Sequence, residues 1–143
     1  MALCALNRPR EAVETLREAC RLNPGDAESR YQLGLACNEA GDLEQARQEL
    51  ERAVQLNPRH SAAWYNLGLA QNALNQPELA LASLARAESA NPQDPRIPYA
   101  RATIHTRLGE NKPAIQAVRR ALEIAPDYQE ARELLGQLRA GNQ

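Results

Sequence analysis

The chain has 143 residues, 43% of them hydrophobic and 24% charged, with 17 Lys+Arg against 18 Asp+Glu for a net charge of −1. That is enough for one ordinary domain and too little for two with separate large cores. The apolar fraction excludes an unfolded chain, and the balanced charge excludes a strongly basic coat for nucleic acid. No apolar run approaches the roughly 20 residues a bilayer requires. Arg8, Arg10 and Glu11 interrupt any apolar leader near the start, so a cytoplasmic location is expected. Aromatic residues make up 3%, with no Phe, so Leu and Ala must build the core. Both are strong helix formers, and the composition predicts an all-α chain.

Repetition organises the sequence. Pro24, Pro58, Pro92 and Pro126 stand 34 residues apart, and Asn precedes the first three. The same step relates Ala12, Ala46, Ala80 and Ala114; Leu16, Leu50, Leu84 and Val118; and Ala19, Ala53, Ala87 and Ala121. A fixed period of this length is the mark of stacked helical units. In chain order, residues 1–26 read as a truncated unit, a remnant at Ala2–Leu6 followed by a helix over 9–22. Residues 27–60, 61–94 and 95–128 read as full units, each of two helices: 27–40 and 43–56, then 61–74 and 77–90, then 95–108 and 112–124. Pro98, a turn into the third unit, predicts a distorted start. Residues 129–143 add one helix over 129–140, whose Glu130, Glu133 and Arg139 suit a polar cap.

The best unit carries Trp64-x-x-Leu67-Gly68, Ala80-x-x-x-Leu84 and Pro92, with Gln71 where an aromatic residue would complete the pattern. In this it resembles the tetratricopeptide repeat (TPR) family. The resemblance covers essentially the whole chain and implies a right-handed α-solenoid that binds a peptide or protein and has no catalysis of its own. The units differ: Arg30 and Pro98 stand in the Trp slot, Arg101 in the Leu slot and His105 in the aromatic slot. The first unit begins just past its Leu-Gly position. That fits a piece of a longer repeat protein, or an end met by another chain. Leu3, Leu6, Val13 and Leu16 would be partly uncovered there, which predicts self-association through the N-terminal end.

Chemistry is thinly represented. Cys4, Cys20 and Cys37 have no CxxC spacing and read as small packed thiols, so neither a disulfide framework nor a zinc site is expected. His60 is expected in a solvated turn and His105 on a packed face. Gly34, Gly68 and Gly136 read as packing glycines, and Glu49 and Glu51 as solvated carboxylates. No nucleophile–base pair, phosphate loop, metal or cofactor is expected.

A TPR solenoid presents a concave surface lined by the first helix of each unit. Helical geometry places Tyr31, Leu35 and Asn38 there, then Tyr65, Asn66, Leu69 and Asn72, then Tyr99, Thr103 and Arg107. Tyr31, Tyr65 and Tyr99 form a ladder of period 34. Such rings either anchor a peptide or pack between neighbouring units. The carboxylate clamp of heat-shock co-chaperone TPRs would fall on Tyr31, Leu35, Asn66, Arg96 and Ala100, where only Asn66 and Arg96 fit. The asparagine ladder of glycosyltransferase-associated TPRs would fall on Gln32, Asn66 and Ala100, with one Asn in three. Residues 95–143 carry eight bases against five acids. An acidic partner segment suits that end, and RNA is a weaker alternative. A docking arm for an enzyme domain outside this chain is the other alternative to a plain interaction module.

Overall fold

The computed structural model describes the backbone of residues 2–141 and the side chains of 8–141. Among these residues there are eight α-helices and no strand. They are α1 (Ala2–Leu22), α2 (Ala27–Glu39), α3 (Leu43–Leu56), α4 (Ser61–Ala73), α5 (Pro77–Ala90), α6 (Arg96–Arg107), α7 (Asn111–Ile124) and α8 (Gln129–Gly141). The helices after α1 begin and end within one residue of expectation.

The exception is α1, which starts at Ala2 and runs through Pro9. Pro9 is the counterpart of Pro77, which opens α5. The turn before Pro77 is built on Asn75 at φ 62°, and its counterparts Gly41 and Gly109 stand at 86° and 76°. Asn7 occupies the same place yet remains helical.

Three hairpins, α2/α3, α4/α5 and α6/α7, are closed by one repeated device. Asp42, Gln76 and Glu110 donate their N–H to the carbonyls of Cys37, Gln71 and His105 at 2.9, 2.8 and 2.9 Å. These bonds satisfy carbonyls that the end of a helix leaves without partners. Each hairpin then buries one column of small residues and one of branched residues. Ala46, Ala80 and Ala114 are buried, as are Ala53, Ala87 and Ala121, and Leu50, Leu84 and Val118 lie between them. Gly34 and Gly68 admit Leu50 and Leu84, because a Cβ on either glycine would come within 2.7 and 2.8 Å of the leucine Cγ. Gly136 differs from expectation: a Cβ there would meet nothing within 4 Å, since among the described residues no helix packs on that side of α8.

Pro98 does not break α6. The helix is continuous from Arg96, and Pro98 lies in its first turn, where a backbone N–H has no intrahelical partner to lose. Asp94 Oδ1 takes the Arg96 N–H at 3.0 Å, replacing the missing cap. At the other end Val13, expected to be partly uncovered, is buried with Cys20, Leu33 and Cys37, because α1 packs along α2. Leu16 is partly buried against the same cluster, and Leu3 and Leu6 lie outside the described side chains. Among the described residues no helix is long and apolar enough to cross a membrane.

Candidate partner-binding site

Helices α2, α4 and α6 lie in succession and supply the residues of the expected concave row. Leu35 and Asn38 from α2 meet Asn66 and Leu69 from α4 around one depression, floored by Leu50 and Ala70. Leu69 is 37% exposed. Asn66 donates its Nδ2 to the Ala62 carbonyl at 2.9 Å, so its Oδ1 is the edge left to accept a bond. Further along, Arg107 Nη2 donates to Asn72 Oδ1 and ties α6 to α4. Thr103 turns back to the Ala100 carbonyl at 2.7 Å and takes no part in the depression.

The tyrosines brace the stack. Tyr31 lies 4.5 Å, centroid to centroid, from the His60 ring. The Arg96 guanidinium sits 4.9 Å above the Tyr65 ring. Tyr99 lies 5.1 Å from Tyr128. His60 and Tyr128 stand just ahead of α4 and α8, and Arg96 opens α6, so each ring braces the step to the next helix. All three rings are half-buried. Burial pushes the phenols of Tyr31 and Tyr65 above their ordinary pKa, and that of Tyr128 with them. His60 and Tyr128 stand two periods apart, and the position between them is Asp94, which acts on Tyr65 only through the Arg96 it holds.

His60 is not solvated. It caps α4, with Nδ1 accepting the Ala63 N–H at 3.1 Å and Nε2 lying 2.9 Å from Glu28 Oε2. Because Nδ1 accepts, the ring hydrogen is on Nε2 and donates to Glu28. The bonds from Gln32 and then from His60 hold the Glu28 carboxyl below its ordinary pKa. His105 is half-buried as expected, with Nδ1 3.3 Å from Glu110 Oε1.

Glu49 is also not solvated. It is buried, and Arg30 Nη1 and Gln45 Nε2 donate to its two oxygens at 2.9 and 3.0 Å. Arg30 occupies the slot of Trp64, and Glu49 that of Ser83, which donates to Gln71 at 2.6 Å. One groove wall is thus built three ways, by an ion pair, by an indole over a neutral hydrogen bond, and by Pro98 with Ala117. Cys20 and Cys37 are buried, and burial pushes both thiols up, away from reactivity. Cys4 lies outside the described side chains. Among the described residues no group of His, Cys, Asp or Glu is placed to hold a metal.

Known proteins share this architecture. The sequence profile of the tetratricopeptide repeat matches residues 1–56 and 39–95, and a second profile of the same description matches 72–138. The fold is close to that of MamA, residues 41 to the end, from Desulfovibrio magneticus RS-1, at 28% identity and a TM-score of 0.86, covering 94% of this chain and 76% of that one. It is also close to YrrB, described as a TPR protein with an unusual peptide-binding site, at 23% identity and a TM-score of 0.80, covering 92% and 68%. The type III secretion chaperone SycD of Yersinia enterocolitica, solved with a peptide of the translocator YopD, matches at 20% identity and a TM-score of 0.77, covering 81% and 94%. No curated protein matches the chain.

Proposed function

This chain belongs to the tetratricopeptide repeat family, and from that premise we propose that it is a non-catalytic interaction module that holds a peptide segment of a partner protein along α2, α4 and α6. The observation that carries the reading is the depression between Leu35, Asn38, Asn66 and Leu69. It pairs exposed leucine surface with side-chain amides at the same spot. An extended or helical segment needs both: an apolar anchor, and partners for the backbone groups it brings with it. YrrB and SycD support the class of ligand, since the description of each names a peptide.

The structure's division of labour refines the site. Tyr31, Tyr65 and Tyr99 brace the stack and border the groove, whereas Leu69 and Asn38 are free to meet a ligand. Arg107, bonded to Asn72, adds positive charge beside the groove and suits a segment that carries an acid. The test is selection from a displayed library of short peptides against the parent, followed by binding of the selected peptides to Leu69→Arg and Asn38→Ala variants. Selected peptides that bind the parent and both variants equally would place the site elsewhere.

A further inference from the structure

The third unit departs from the repeat pattern at Pro98, Arg101 and His105, and the structure brings these departures into one place. With Glu88 of α5 and Pro113, Gln116, Ala117 and Arg120 of α7 they line a groove of about 190 Å³. On α6 these residues lie away from Tyr99, Thr103 and Arg107, so the groove is separate from the site proposed above. We propose that this groove binds an oxyanion, a phosphate or a carboxylate, between Arg101, His105 and Arg120.

Comparison of units carries the argument. One unit earlier, the equivalent groove is lined by Trp64, Leu67, Gln71, Ser83 and Arg86. There the Arg86 guanidinium rests 5.7 Å from the Trp64 ring, and the floor is a closed Ser83–Gln71 bond. Two units earlier, the floor position is Glu49, whose buried carboxylate receives Arg30. In the third unit Pro98 removes the indole, His105 replaces the glutamine, Arg101 replaces the leucine and Ala117 removes the floor oxygen. Arg101 and His105 thus enter the groove where the floor oxygen is lost, and Glu88 enters with them where the earlier unit has Val54.

The acids nearby leave donor capacity unused. Glu88 takes Arg101 Nη1 at 3.1 Å, while Arg101 Nε is buried without a partner, the one such side-chain atom found among the described residues. A buried donor left unmet is costly, and a ligand that draws the guanidinium toward itself removes that cost. Glu123 takes one edge of Arg120 at 3.2 Å, and the Pro92 carbonyl takes the other at 3.2 Å. Glu123 is 68% exposed and Glu110 48%, so the Arg120–Glu123 pair competes only weakly with a ligand in the groove. The planar guanidinium forks of Arg101 and Arg120 match a phosphate or carboxylate, and the His105 ring, whose Nδ1 faces Glu110, lines the same groove.

The experiment is an NMR titration of the intact chain at constant ionic strength, following the arginine Nε–H and histidine resonances. Inorganic phosphate and acetate serve as separate probes. The expected result is a saturable shift of the Arg101 and His105 signals with at least one of them, and the stronger probe distinguishes a phosphate site from a carboxylate site. Arg101→Gln and Arg120→Gln should each weaken binding roughly tenfold or more. Arg86→Gln, at the counterpart of Arg120 one unit earlier, should leave it unchanged. Ala117→Glu supplies the floor carboxylate that Glu49 provides, and should abolish binding while raising the melting temperature, which keeps the test valid if Arg101→Gln fails to fold. No saturable shift in the parent, or binding that survives Ala117→Glu in a folded protein, would overturn the proposal.

Discussion

A Cβ placed on Gly68 would stand 2.8 Å from Leu84 Cγ and 3.2 Å from the Ala80 carbonyl oxygen. The leucine therefore occupies the space that any other residue at 68 would need. The third unit solves the same contact differently. Ala102 and Val118 hold the glycine and leucine positions, both fully buried, so one methyl added on α6 is met by a smaller side chain on α7.

This pairing predicts a compensating double substitution. Gly68→Ala gains about 1 kcal/mol of helix propensity. Overpacking against Leu84 and the Ala80 carbonyl costs roughly 1–3 kcal/mol. The contact is with Cγ, which cannot swing away as a chain end could, so the cost should win and the variant should be destabilised. Leu84→Val alone should cost about 1 kcal/mol through lost packing. The double variant should be more stable than the sum of the two. Chemical denaturation of all four proteins measures the coupling. Strict additivity would show that the two positions do not share the space.

The Arg30–Glu49 pair makes a second prediction. The side chains are 16% and 5% exposed, so the pair is mostly out of water. Removing Arg30 leaves Glu49 with Gln45 and the more distant Arg52 at 3.9 Å. Arg30→Ala should cost roughly 3 kcal/mol, most of it from the stranded carboxylate. Glu49→Ser combined with Arg30→Trp copies the residues of the second unit and should recover most of that loss. Equal stability of Arg30→Ala and the parent would mean that Glu49 reaches water in the folded chain.

The helices and their stacking were legible because their causes are local and periodic. Proline after Asn ends a helix, and small residues at fixed spacing mark close approach. Positions where one side chain answers another across units were not legible. His60 and Glu49 read as surface residues from their own helices alone, yet Glu28 and Arg30, on a neighbouring helix, draw them into contact. Gly136 was misread for the converse reason. Its helix matches the packing pattern, but among the described residues no helix lies against it. The candidate groove is a proposal built on residues that share one helical face. Its split into bracing tyrosines and an open Leu69–Asn38 patch depended on which rings the next unit supplies with a partner.

Acid should loosen the joint between the second and third units. Asp94 receives the side chain and the backbone N–H of Arg96, and the Arg96 hydrogen bond holds its carboxyl below the ordinary 3.8. A carboxyl depressed in the folded chain contributes stability that is fully present above its unfolded pKa and is lost as pH falls through the folded value. The loss should therefore occur below about pH 3.8 and not near neutrality. Asp94→Asn should lower stability at pH 7 and flatten this part of the acid profile. It should also loosen Arg96 over Tyr65. An unchanged acid profile in the variant would assign the effect to other carboxylates.

The last prediction separates bracing from binding. Tyr65 carries Arg96 over its ring and packs against the cluster of Leu84, Ile97 and Ile104. Tyr65→Ala should therefore cost stability first, roughly 3 kcal/mol, by opening space between the second and third units. Leu69 is exposed and contributes little to the core, so Leu69→Arg should move stability by less than about 0.5 kcal/mol. Its effect should fall on ligand binding, on the order of 2 kcal/mol for a central anchor. Melting temperatures and the affinity of a selected peptide, measured on both variants, give a two-by-two comparison. The groove reading requires opposite patterns: Tyr65→Ala low in stability, Leu69→Arg low in affinity. If Leu69→Arg binds as the parent does while Tyr65→Ala, still folded, does not bind at all, the tyrosine edge is the contact surface and the depression at Leu69 is not.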